Sequence, residues 1–212
     1  MKDTANKPVR IIVFAKAPQA GFAKTRLITA LGAEGAAALA KRMLLHTLHE
    51  AIAAKIGTVE LCATPRIDEP AWQGVAPPLG IEISDQGEGD LGARLALATE
   101  RSLTRGESVL LVGTDCVEMS ADLLREASRN LFEHDAVIHC TIDGGYALLG
   151  LTKFNSILFR NIPWSSDAVA STTLSRIGQL GWSVHVGQML HDVDEPQDLK
   201  YLPERWRMHV EA

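Results

Sequence analysis

Apolar residues follow two rhythms along the chain. Short apolar runs at residues 9–15, 108–112 and 135–141 read as buried strands. Residues 58–63 alternate well enough to be another strand, and 81–84 and 183–186 are shorter ones. Between them the spacing turns helical. Residues 27–56 are rich in Ala and Leu and set Leu39, Met43, Leu44, Leu48 and Ile52 on one stripe. Gly32 and Gly35 should separate a first turn from this long helix, and Gly57 should stop it. Further helices are expected over 93–103, from near Ser120, briefly over 155–160, and from Trp164-Ser165-Ser166-Asp167 to Leu180, with Ser165 or Ser166 as cap. Residues 64–78 are Pro-rich and irregular. Asp143-Gly144 between two strand-like runs, the second at 147–151, is a hairpin signal. The alternation predicts an α/β fold: an α/β/α sandwich with a mostly parallel mixed sheet, the hairpin mixing it toward one end.

Length and composition narrow the class. At 212 residues the chain suits one domain spanning 1–212. With 46% hydrophobic and 22% charged residues it is an ordinary globular composition. No apolar run is long enough to span a bilayer, and the polar start does not read as a signal peptide. A net charge of −5 argues against nucleic acid and anionic membranes as partners. Three cysteines without a Cys-x-x-Cys pair fit a reducing, cytoplasmic setting, with Cys62 and Cys140 in apolar runs as core residues. His46 and His49 sit three apart on the long helix with no third metal ligand, so they read as helix surface or core edge.

The chemistry gathers first at residues 14–27, where the first strand crosses into the long helix. The side chains through Arg26 give six cations (Lys2, Lys7, Arg10, Lys16, Lys24, Arg26) against Asp3 alone, so the basicity is local. A helix start offers free N–H groups, and Gly21 lets a ligand approach the backbone. Together these read as an anion site, phosphate above all, with an ordinary solvated turn as the alternative. Lys24 is expected to be exposed and phosphate-facing. Neither Gly-x-x-x-x-Gly-Lys-Ser/Thr nor Gly-x-Gly-x-x-Gly is present. Asp115, just past the strand 108–112, sits where open α/β sheets place ligand groups; capping is the bland alternative. Asp143 either faces a ligand or only shapes its turn. Arg94 defies the preference for acids in a first helical turn, which an anion partner would explain. Asp192, Asp194, Glu195 and Asp198 exceed what capping at Pro196 needs, and Asp-x-Asp on extended chain points both carboxylates one way. Such oxygens suit Mg²⁺ or Mn²⁺.

In order, Phe14-Ala15-Lys16-Ala17-Pro18, Gly21, Lys24-Thr25-Arg26-Leu27, Gly113-Thr114-Asp115-Cys116, Asp143-Gly144-Gly145-Tyr146 and Asp192-Val193-Asp194-Glu195-Pro196-Gln197-Asp198-Leu199 resemble a bacterial transferase family with the glycosyltransferase-A fold, the selenodomain-associated transferases. That family is similar to nucleotide-diphospho-sugar transferases and, more remotely, to small guanylyltransferases. The resemblance covers nearly the whole chain. It implies a pocket for a nucleotide sugar or nucleoside triphosphate, with an unknown small-molecule acceptor. Lys16, Gly21, Lys24 and Arg26 would hold phosphates, with Lys24, Arg26 and Asp115 as the catalytic set. Asp115, Asp192 and Asp194 would bind Mg²⁺ or Mn²⁺. Pro18, Asp143, Gly144, Gly145, Tyr146 and Trp164 would line the substrate pocket. The chain departs from the family at Val117, His139-Cys140, Ala147 and Trp164-Ser165-Ser166, all on the acceptor side.

Three readings follow. The first is metal-dependent glycosyl transfer, with nucleotidyl transfer as its variant. The second is a nucleotide-binding module without catalysis. The third, a hydrolase using Cys116, has no histidine fixed near the thiol. The first requires a central first strand, and carboxylates of Asp115 and of Asp192 or Asp194 in one cleft, facing Lys24 and Arg26.

Overall fold

The computed structural model describes residues 7–207; Lys2, Asp3 and the polar start of the chain lie outside them. The strand β1 (Val9–Lys16) is buried on both sides from Val9 to Val13. Its residues alternate between two cores. Val9, Ile11, Val13 and Ala15 face one, and Ile12 faces the other with Phe14 packed against it. Double burial is what a run with no regular polar positions predicts, and it makes β1 an interior strand. The sheet order is β3-β2-β1-β4-β6-β5-β7, with β2 (Gly57–Thr64), β3 (Glu82–Asp85), β4 (Ser108–Val112), β5 (Ala136–Cys140), β6 (Tyr146–Leu151) and β7 (Val184–Val186). Only β6 runs against the rest, pairing antiparallel with both β4 and β5. The sequence boundaries match within about two residues.

Helices cover both faces. On the first, α1 (Ile28–Ala54) and α3 (Ala121–Glu133) supply Leu44, Leu48, Leu123, Leu124 and Ala127. On the second, α2 (Leu91–Thr104) and α4 (Val169–Gln179) supply Leu95, Ala98 and Ile177. The parallel crossovers and two-sided core give a glycosyltransferase-A-like, Rossmann-like sandwich. Gly32 (φ 70°) breaks α1 after its first turn, as expected; Gly35 stays helical, so one glycine does the separating. Asp90 caps α2 and Ser120 caps α3, so Asp115 is not a helix cap.

Two boundaries differ from expectation. The helix expected from Ser165 or Ser166 starts at Val169, with no side chain capping Ala168. Ser165 is left-handed (φ 64°), and Ser166 Oγ donates to Pro163 O at 2.7 Å while accepting from Ala168 N at 3.3 Å. That turn uses the hydroxyl before the helix begins. The helix at 155–160 shrinks to a 3₁₀ turn, Ser156–Leu158.

At the edge opposite the strand tips, Arg10 enters the sheet as its one buried cation. It donates to Glu107 at 2.6 Å, Glu60 at 2.9 Å and Glu82 at 2.7 Å. Glu60, equally buried, also accepts from Ser84 Oγ at 2.6 Å and from Arg101. This network is satisfied throughout, so removing one member is the costly change. Arg10→Met should destabilise the protein by about 3–5 kcal/mol by leaving Glu60 buried beside other carboxylates. Urea denaturation checks it; a loss under about 1 kcal/mol would show that Arg101 alone neutralises Glu60.

Candidate functional site

The parallel strands and the start of β6 all point their loops to one edge. There the β1–α1 loop runs over 17–27, closed by Ala23 N donating to Gln19 O at 2.9 Å. It ends at Lys24, whose backbone is left-handed (φ 47°), a costly conformation for a side chain with a Cβ. This turn aims the Lys24 ammonium inward. The side chain is only 6% exposed and donates to Asp115 Oδ1, to Asp194 Oδ1 at 2.7 Å and to Val193 O at 2.7 Å. Lys24 is therefore not the exposed, phosphate-facing group expected from the sequence. Burial pulls its pKa down, but Asp115 and Asp194 outweigh that and hold it above the usual lysine range.

The acids reach Lys24 by different routes. Asp115 follows β4 directly. Asp194 comes from beyond β7, at the far side of the sheet, and its segment crosses the strand tips to arrive. Leu190 N donates to Cys140 O at 2.9 Å, His191 N to Glu118 Oε2 at 2.6 Å and Val193 N to Asp115 O at 2.9 Å. Val193 is fully buried, so Asp192 and Asp194 flank it on the outer side, as alternation predicts. Glu195 and Asp198 form a reciprocal capping box for the 3₁₀ helix Pro196–Tyr201, the bland reading for those two acids.

Asp192 is not among the groups that hold Lys24, though it lines a neighbouring cavity with Asp143 and Asp194. It lies against Asp143 instead; burial, then the Asp143 charge, pushes its carboxyl up to about 6. Among the described residues no three acids, histidines or cysteines converge as a metal cluster. Lys24 is thus held by two carboxylates, Asp115 and Asp194, and by the Val193 carbonyl.

A cleft of about 720 Å³ opens above these groups, lined by Lys16, Lys24, Arg26, Asp115, Asp143 and Asp194. Arg26 is 64% exposed, with Glu195 3.6 Å away. Tyr146, Gly145 and Trp164 line an adjoining cavity of about 300 Å³ that shares Asp115 and Asp143. Pro18, Gly21 and Gly144 line neither. Gly144 has a different duty: at φ 90°, a Cβ there would fall 2.1 Å from Asp167 O, so only glycine lets the turn pack under the 165–168 loop. Asp143 shapes its turn and also borders the cleft. Its Oδ1 accepts from Thr141 Oγ1 at 2.5 Å and Gly145 N at 2.9 Å, and its carboxylate lines the cleft. Thr114, Ser165 and Ser166 also line the cleft, where the sequence offered Thr114 only as part of its motif and the serines as caps.

Other candidates resolve structurally. Cys116 is buried in the core, and burial followed by Asp115 pushes its thiol up, away from a nucleophile. His46 bonds Val117 O at 3.0 Å and packs on Trp206, as a core-edge histidine should. Arg94 finds its partners within the chain, donating to Gly89 O at 3.0 Å.

A protein-family model matches residues 47–166, more than half of the chain. The chain belongs to that family, described as uncharacterized protein conserved in bacteria (DUF2064). In this DUF2064 chain the matched stretch carries Asp115 and the 143–146 turn, while the β1–α1 loop and the 192–194 acids lie beyond it. A provisionally named nucleotide-diphospho-sugar transferase from Desulfovibrio desulfuricans G20 is similar at 27% identity and a TM-score of 0.85, covering 94% of this chain and 87% of its own. Rv0371c of Mycobacterium tuberculosis H37Rv, solved with manganese, is similar at 15% identity and TM-score 0.54, covering 97% and 99%. The 4-diphosphocytidyl-2C-methyl-D-erythritol synthase of Anaerococcus prevotii DSM 20548 is similar at 13% and 0.57, covering 95% and 99%. The last two speak to the fold alone. No curated protein matches the chain.

The Asp143–Asp192 pair makes a pH prediction. A carboxyl raised in the fold adds stability that is full below its unfolded value, about 3.9, and lost as pH rises through about 6. With metal chelated, Asp192→Asn should match the parent's Tm at pH 4 and exceed it at pH 7. Differential scanning fluorimetry across that window checks it; parallel curves for the two proteins would contradict the pairing.

Proposed function

We propose that this protein is a nucleotide-dependent transferase that moves a glycosyl group from a nucleotide sugar to a small acceptor. One observation carries the reading. Three cations at the end of β1 and in the loop that follows it, Lys16, Lys24 and Arg26, share a cleft with Asp115 and Asp194 at the carboxyl edge of the sheet, where open α/β folds bind ligands. The likeness to the Desulfovibrio nucleotide-diphospho-sugar transferase supports the same class.

The donor set fits a hard divalent cation. Oxygens of Asp115, Asp194 and Val193 already converge on one positive charge, the Lys24 ammonium. Mg²⁺ or Mn²⁺ would be held by Asp115 and Asp194, in competition with Lys24, and would neutralise charge on the donor diphosphate. Lys24 then has two uses: pairing the acids when no ligand is present, and meeting phosphate when a stronger cation takes them. Lys16 and Arg26 would hold the leaving diphosphate. In the reaction the acceptor hydroxyl oxygen bonds to the anomeric carbon as that carbon's bond to the diphosphate oxygen breaks. The electron pair leaves with the nucleoside diphosphate, and the hydroxyl proton passes to Asp143.

Lys24→Ala is a poor probe, since it strands two facing carboxylates. Arg26→Ala is cleaner. Among UDP, GDP, CDP and ADP, the diphosphate bound most tightly by calorimetry should lose about tenfold or more in affinity with Arg26→Ala, the worth of one charge-assisted contact. Asp115→Asn should abolish any gain from Mn²⁺ while the fold holds. Unchanged affinity in Arg26→Ala and undiminished Mn²⁺ dependence in Asp115→Asn would defeat the reading. Release of pyrophosphate from a triphosphate, in place of diphosphate from a nucleotide sugar, would assign nucleotidyl transfer instead.

A further inference from the structure

The two adjoining cavities differ in charge. The larger carries Lys16, Lys24 and Arg26. The smaller, about 300 Å³, has no cationic side chain in its lining. Its walls are Phe14, Leu95, Leu111, Tyr146, Trp164 and Val169, and its only charged groups are Asp115 and Asp143, at the border with the larger cleft. Tyr146 and Trp164 meet edge to face, centroids 6.5 Å apart, and form a rigid aromatic corner. The Tyr146 hydroxyl is buried behind this corner and has no hydrogen-bond partner among the described residues.

From this contrast we infer the acceptor class: an uncharged or cationic alcohol with an apolar body, seated in the smaller cavity, and not a phosphorylated or otherwise anionic acceptor. The inference rests on the transferase reading, since it names the second substrate of the same site. Charge decides it. A phosphate placed there would face the Asp143 carboxylate and Asp115, whose charge Lys24 already takes up, with no cation of the lining free to receive it. An apolar body gains from the walls, and continuity through Asp115 and Asp143 places its hydroxyl toward the donor. The division also keeps the donor from binding in reverse, because its diphosphate finds cations on one side only.

The test uses the full-length protein and two probes that share a sugar and differ in charge: phenyl β-glucoside and glucose 1-phosphate. Calorimetry and saturation-transfer NMR, with and without UDP, should show the phenyl glucoside bound at least about tenfold more tightly, without displacement by UDP. Leu91→Arg adds a cation at the cavity wall; Leu91 is 44% exposed, so the fold should tolerate it. That variant should narrow the preference about tenfold, the worth of one charge-assisted contact. The parent comparison stands even if the variant misfolds. Equal or tighter binding of glucose 1-phosphate by the parent overturns the inference. So does displacement of the phenyl glucoside by UDP, which would make the cavity part of the donor site. If the phenyl glucoside binds as expected while none of the four diphosphates binds, the cavity preference stands and the transferase reading falls.

Discussion

Everything at the site hangs on one buried ammonium. Lys24 ties together the loop after the first strand, the end of β4 and a segment from near the other end of the chain. An unpaired lysine at that depth would shed its proton or drag in water. Two carboxylates and a carbonyl prevent both, and in return Lys24 keeps the two carboxylates from repelling each other. The left-handed backbone at Lys24 is the strain that this arrangement tolerates. On the proposed reading the same balance makes the centre exchangeable: a cation that satisfied the acids better would set the lysine free to meet an anion.

The sheet supplies the frame for that exchange. β1 and β4 are neighbours with both faces covered, so the loops that leave their tips start from fixed points. At the opposite edge, Arg10 and its acids form a separate, fully paired network. The charged groups are thus sorted: one network closed and structural, the other open to a cleft.

The fold was legible from the residues because strands buried on both faces leave apolar runs, and crossover helices leave a 3.6-residue stripe. The resemblance to glycosyltransferase-A proteins added topology that periodicity alone does not carry. At the site, the sequence brought forward the right segments but not the pairings. Lys24 looked like a surface lysine because nothing local to residues 20–28 announces that Asp194 will reach it. Asp192 looked equivalent to Asp194, since alternation puts both on one side; only Asp194 bonds Lys24, while Asp192 lies against Asp143. Ser165 and Ser166 looked like caps because a cap and a hydroxyl-bridged turn share the same residue types.

The reversal of β6 divides labour within the edge. β1 and β4 reach the cleft with their trailing ends, each followed by a crossover that the core constrains. β6 reaches it with its leading end, straight out of a tight hairpin. Within that turn Gly144 and Asp143 are held to their residue types, but exposed Ile142 can change without disturbing the crossovers that hold Lys24 and Asp115 in place. The sheet therefore has one border open to diversification and another that is not. Descendants of such a chain could remodel the β6 side of the cleft by editing exposed residues near 142, while the loops around Lys24 pass on unaltered.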